Sequence, residues 1–191
     1  MRKILSVRQQ TERHAVLRIA CEDKPKSYTV TLTTYASLGF PPSGFALTDD
    51  EFAIIVADDE RYRAVKKALS VLSYSDVSES MLRLKLVRAG FSRESAEEGV
   101  RECVMQGYLD EKRHLLRFIA KEANEGMRGP YYIKRKLMAK GYSSRDISYT
   151  LERLTLSGEV DFREIFERLC EKTGATGEGR RALAYKRGFK I

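Results

Sequence analysis

The chain contains no tryptophan, four prolines, three cysteines and two histidines in 191 residues. Each scarcity excludes something. Cys21, Cys103 and Cys170 are odd in number, scattered and without metal-ligand spacing, which argues against a disulfide framework and a zinc site and reads as ordinary thiols of a reducing compartment. His14 and His114 have no second ligand or acid at motif spacing, so neither a metal centre nor a catalytic base is expected. No nucleophile–base pair and no paired carboxylates of an acid–base site stand out. No stretch approaches the ~18 apolar residues of a membrane span, and no h-region follows the N-terminal Met-Arg-Lys. Cytoplasmic location without membrane association follows as the expectation. The glycine-rich residues 173–179 lack the Gly-Lys-Ser/Thr ending of a phosphate loop and read as a linker. No cofactor is expected.

What is present is charge on a helix-leaning background. Charged residues make up 32% of the chain and apolar residues 42%, enough for one large or two small cored domains. Residues 1–65 carry nine Lys/Arg and nine Asp/Glu, so the whole net charge of +8 belongs to residues 66–191. Residues 113–145 concentrate it: Arg113, Arg117, Lys121, Arg128, Lys134, Arg135, Lys136, Lys140 and Arg145 face only Glu122 and Glu125, a net +7 in 33 residues. Arg113, Arg117 and Lys121 recur at i, i+4 and i+8, one stripe on a helix. Like charges so spaced cost roughly 0.2–0.5 kcal/mol per pair. A solvated helix face is the plain account of such a run; an anionic partner is the functional one.

Along the chain, residues 3–8, 13–20 and 27–33 alternate polar and apolar and predict a small antiparallel hairpin or three-strand ribbon. Thr48-Asp49-Asp50-Glu51 is a capping box, predicting a short helix with Phe52, Ile55 and Val56. Asp58-Asp59-Glu60 then reads as the acidic start of a second, longer helix reaching Tyr74. Beyond it Gly90, Gly107, Gly126, Gly141, Gly158, Gly174 and Gly188 each follow a segment of helical period, where a left-handed residue closes a helix. Ser92, Asp110, Ser143 and Asp161 supply the following N-caps, and Pro130 after Gly129 suits a first helical turn.

The spacing repeats. Gly90-Phe91-Ser92 and Gly141-Tyr142-Ser143 lie 51 residues apart, as do Gly107-Tyr108-Leu109-Asp110 and Gly158-Glu159-Val160-Asp161. The apolar positions Leu82, Leu86, Ala96, Val100 and Cys103 recur at the same offset as Ile133, Leu137, Ile147, Leu151 and Leu154. These are copies of a three-helix unit. A third copy begins at Phe162, and its segment Ala182–Phe189 echoes residues 137–142, but its last helix is wanting. The predicted organisation is a ribbon and short helix (1–57), repeat 1 (58–110), a basic repeat 2 (111–160) and a truncated repeat 3 (161–191).

These segments, with residues 68–74, 85–91 and 107–110, Gly129-Pro130-Tyr131-Tyr132-Ile133 and Leu137-Met138-Ala139-Lys140-Gly141-Tyr142, resemble the RecX family of recombination regulators over roughly residues 60–191. The resemblance implies a mainly α protein of tandem three-helix repeats in an elongated curved array. It also implies a non-enzymatic regulator that binds the RecA–DNA filament, restrains its ATPase and strand exchange, and binds single- and double-stranded DNA itself. Gly129, Pro130, Ile133, Leu137 and Gly141 fall on the family's best-marked motif and read as structural. Ile133 and Leu137 share a buried face, which turns Lys134, Lys136 and Lys140 outward. Tyr131, Tyr132, Tyr142 and Tyr149 read first as half-buried core tyrosines and second as stacking platforms. No heptad seam argues for a coiled-coil dimer, so a monomer is expected. The alternatives are a sequence-independent DNA-binding repeat protein without a recombinase partner, and a nuclease, for which no acid or histidine cluster is found.

Overall fold

Alternation at the start of the chain folds into β1 (Arg2–Gln9), β2 (His14–Ala20) and β3 (Lys26–Thr31). The structure, a computed structural model, describes residues 2–190. The strands pair antiparallel in the order β3-β2-β1-β4, and Ile4, Leu17, Ile19 and Val30 supply the buried face. The expected ribbon thus gains a fourth strand, β4 (Ala46–Leu47), whose two residues are too short to show alternation. Thr33, expected in a strand, lies in α1 (Leu32–Ser37), because the Thr31 hydroxyl accepts the Thr34 N–H and turns the chain.

The expected pair of helices over 49–74 is one helix, α2 (Asp49–Tyr74). Its capping box forms as expected: Thr48 N–H donates to Glu51 at 2.8 Å and Glu51 N–H to the Thr48 hydroxyl at 3.2 Å. Asp58-Asp59-Glu60 does not begin a helix. Asp58 accepts the Thr31 N–H at 2.7 Å and Asp59 the Thr29 N–H at 2.8 Å, both from edge strand β3. Buried carboxylates therefore satisfy donors that an open edge would otherwise offer to another strand. Glu60 likewise accepts the Ser92 N–H at 2.7 Å.

The remaining helices are α3 (Glu79–Arg88), α4 (Arg93–Met105), α5 (Glu111–Asn124), α6 (Pro130–Ala139), α7 (Ser144–Leu156), α8 (Phe162–Thr173) and α9 (Gly177–Arg187). The bounds of α3 and α4 reappear 51 residues on as those of α6 and α7, and α5 begins 51 residues before α8. Ser92, Asp110, Ser143 and Asp161 all cap as expected. Of the paired apolar positions all are buried except half-buried Leu151. Gly126 departs from expectation: the left-handed residue after α5 is Met127, φ 46°. A Cβ at Gly126 would press on the Glu122 carbonyl, and packing of Met127 against the core offsets its backbone cost.

The chain forms two compact units, Met1–Val71 with Arg83–Gln106, and Leu72–Leu82 with Gly107–Ile191. In the first, the sheet and α2 enclose one core, and α4 approaches α2 closely at Gly99 and Ala64. The second packs α5 to α9 around Ile119, Ile133, Leu137, Ile147 and Leu169.

The second unit uses one backbone joint twice. At the first, Ser78 N–H donates to the Lys140 carbonyl at 3.2 Å, seating the start of α3 on the end of α6. At the second, Gly129 N–H donates to the Arg187 carbonyl at 2.8 Å, seating α6 on the end of α9. A glycine closes each. A Cβ on Gly141 (φ +89°) would meet Ser78 Oγ at 2.5 Å and Met81 Cβ at 2.8 Å. One on Gly188 (φ +79°) would meet Tyr132 Cβ at 2.6 Å. Tyr132 follows Met81 by the same 51 residues.

Candidate functional site

Helix α5 buries His114, Leu115, Ile119 and Ala123, which leaves Arg113, Arg117 and Lys121 exposed on its other side. Among the described residues, Arg117 is the one of the nine basic side chains of residues 113–145 within ion-pair distance of a carboxylate, Asp76 at 3.9 Å. Lys140 donates to the Asp76 carbonyl at 2.9 Å and lies 5.8 Å from the Phe118 ring centre. Lys134 is half-buried and donates to the Ser148 hydroxyl at 3.1 Å, so its head is held against α7 and not turned outward like that of exposed Lys136. Arg145 is exposed at the start of α7.

Three of the nine meet at one ring. Arg128, Lys136 and Arg135 stand 4.4, 5.3 and 5.8 Å from the centre of Tyr132. The ring's negative faces attract each cation, while the cations repel one another. Beside them opens a cleft of about 1020 Å³ between α6 and α9. Tyr131, Tyr132 and Arg135 form one wall; Arg181, Tyr185 and Lys186 form the other. Lys190 lies at its margin and Gly188 and Phe189 in its floor, and no acidic side chain lines it. Arg181, Tyr185, Lys186 and Lys190 escaped sequence reasoning because they lie about forty residues beyond the basic stretch; the echo of residues 137–142 in 182–189 was the available signal.

The tyrosines divide. Tyr131 and Tyr149 are 59% and 67% exposed, contrary to the expectation of half-buried core residues; Tyr132 is half-buried, and Tyr142 is fully buried. Tyr142 belongs to a network that spacing could not reveal. Its hydroxyl lies 2.6 Å from His114 Nδ1, and His114 Nε2 lies 3.0 Å from Asp76 Oδ2. Burial pushes the His114 imidazole below its ordinary value, against the pull of Asp76, and burial pushes the Tyr142 hydroxyl up. A neutral imidazole, donating from Nε2 to the carboxylate and accepting from the tyrosine, satisfies all three groups. Among the described residues no His, Cys, Asp or Glu group could hold a metal ion, and no helix is long and apolar enough to cross a membrane.

Fold and surface together define a class: mainly helical proteins in which three-helix units recur behind an N-terminal antiparallel sheet. No family model matches the chain. It is 31% identical over 111 residues to regulatory protein RecX of Actinobacillus pleuropneumoniae serotype 5b (strain L20), covering 58% of this chain and 70% of that one. It is 24% identical over 147 residues to regulatory protein RecX of Limosilactobacillus reuteri (strain DSM 20016), covering 76% and 56%. A crystal structure of regulatory protein RecX superposes with a TM-score of 0.68 at 20% identity, over 100% of this chain and 95% of that one. The chain belongs to the RecX family of regulatory proteins.

Proposed function

We propose that this protein is a non-enzymatic regulator of homologous recombination that binds the RecA–DNA filament and restrains its ATP hydrolysis and strand exchange. Family membership supplies the regulatory role. The observation that carries the filament as ligand is the un-neutralised charge of α5 and α6. Eight of the nine basic side chains between Arg113 and Arg145 have no carboxylate within ion-pair distance among the described residues. Hydrogen bonds and ring contacts hold some of these side chains but leave their charge without a counter-charge, and the α5 stripe costs folding a few tenths of a kcal/mol. A polyanionic surface recovers the cost through phosphate neutralisation and counterion release.

The test is the recombinase's DNA-dependent ATPase, titrated with this protein at two salt concentrations. The wild type is expected to suppress turnover, less so at the higher salt. The triple variant Arg113→Glu/Lys121→Glu/Lys136→Glu alters only exposed side chains and should abolish suppression while keeping the helical circular dichroism. Undiminished suppression would remove the basic face from the mechanism. DNA binding that leaves turnover untouched would favour a DNA-binding repeat protein without a recombinase partner.

A further inference from the structure

We infer that the cleft between α6 and α9 is a binding site for single-stranded nucleic acid, with Arg135, Arg181, Lys186 and Lys190 on phosphates and Tyr131 and Tyr185 stacking on bases. The first support is what the repeat does not require. At the first joint the backbone is arranged the same way, and the residues matching Tyr131, Arg135, Arg181, Tyr185, Lys186 and Lys190 are Ser80, Leu84, Lys134, Met138, Ala139 and Ser143. One cation there stands against four here, and no aromatic ring against two. The joint forms without them, so cations and rings at the second are not needed for packing.

The second support is exposure. Tyr185 is 91% and Tyr131 59% exposed, so neither ring gains much from folding. Among the described residues no ion pair holds Arg135, Arg181, Lys186 or Lys190. Cations on both walls with rings between them suit a chain of alternating phosphates and flat bases. A duplex keeps its base faces within its own stack and leaves the rings nothing to cover. The third support is the floor. A Cβ at Gly129 would overlap the Gly188 carbonyl, and Tyr131 N–H donates to that carbonyl at 3.1 Å, so the walls are held in place before any ligand arrives.

This site requires no recombinase, and its test uses none. Fluorescence anisotropy would follow a labelled oligo(dT) and a labelled duplex with the full chain. Tyr185→Ala is expected to weaken oligo(dT) binding on the order of 10-fold, the loss of one stacked base, and to leave the duplex unaffected. Arg181→Glu/Lys186→Glu should lower the log–log salt slope for oligo(dT) by about 1.4, at roughly 0.7 per phosphate contact. The control Lys67→Glu/Arg93→Glu, with the same change in net charge, should leave that slope in place. Wild-type oligo(dT) affinity in Tyr185→Ala would overturn the assignment, as would equal losses in the two double variants. So would displacement of the oligonucleotide by poly-glutamate as readily as by unlabelled oligo(dT). Failure here leaves the filament-regulator reading standing, and failure of ATPase suppression leaves the cleft standing.

Discussion

The two joints of the second unit share a backbone and differ in almost every side chain around it. At the first, exposed Asp76, buried His114 and buried Tyr142 form one polar chain. The residues matching them at the second are Met127, packed against the hydrophobic core, and Ile165 and Phe189 within it. At the first, the Glu79 N–H that opens α3 is accepted by Glu111 at 2.6 Å. At the second the matching residues are Pro130, which has no N–H to satisfy, and Phe162. Lys140 reaches the Asp76 carbonyl, and the matching Arg187 reaches the Gly126 carbonyl at 3.4 Å. The comparison separates what the repeat needs, a glycine closing one helix beneath the start of another, from what each copy does with the space around it. The first copy buries a histidine against a tyrosine; the second sets its cations and tyrosines outside.

The glycines carry the largest expected effects. Gly141→Val and Gly188→Val each place a Cβ against the neighbouring helix start at positive φ, and each should destabilise the fold by about 3 kcal/mol or more in denaturant titration. Gly90 has the same left-handed conformation, φ +93°, but open space around it. Gly90→Ala should cost only about 1–2 kcal/mol, the backbone component alone. Equal losses at Gly90→Ala and Gly141→Ala would show that close approach is not what the joints require.

A smaller effect tests the polar side of the comparison. Tyr142→Phe makes the first joint resemble the second and leaves His114 Nδ1 without its donor, at a cost of about 1–2 kcal/mol. The smallest effect is one of pH. His114 in the folded chain is held below its ordinary value of 6.5, so below that pH the unfolded state takes up the extra proton. Stability is therefore full above about 6.5 and declines as pH falls, at no more than about 1.4 kcal/mol per pH unit, until the folded imidazole protonates too. His114→Gln should flatten this part of the stability–pH curve. An unchanged slope in that variant would remove the buried histidine from the acid response.

Much of the helical part was legible because its signals are local. Caps at Ser92, Asp110, Ser143 and Asp161 act on N–H groups two or three residues away, and Leu86 and Leu137 keep one helix face at one period. The errors fall where partners are distant. Asp58 and Asp59 look like an N-terminal acidic cluster until β3, about thirty residues earlier, brings Thr29 and Thr31 to them. His114 looks isolated because Asp76 and Tyr142 reach it only through the fold. The basic stripe of the candidate site was visible as i, i+4 spacing on α5; the separate cleft between α6 and α9, and above all its α9 wall, was not.

From α3 onward the helices, their N-caps and their 51-residue recurrence follow from the amino-acid order alone, since hydrogen-bond capping and apolar periodicity act within a turn or two of chain. Only tertiary structure decided which glycines carry a neighbouring helix, which carboxylates close a sheet edge and which tyrosines face water. Those outcomes depend on atoms brought within a few ångströms from residues far apart in the chain, and no local pattern records that distance.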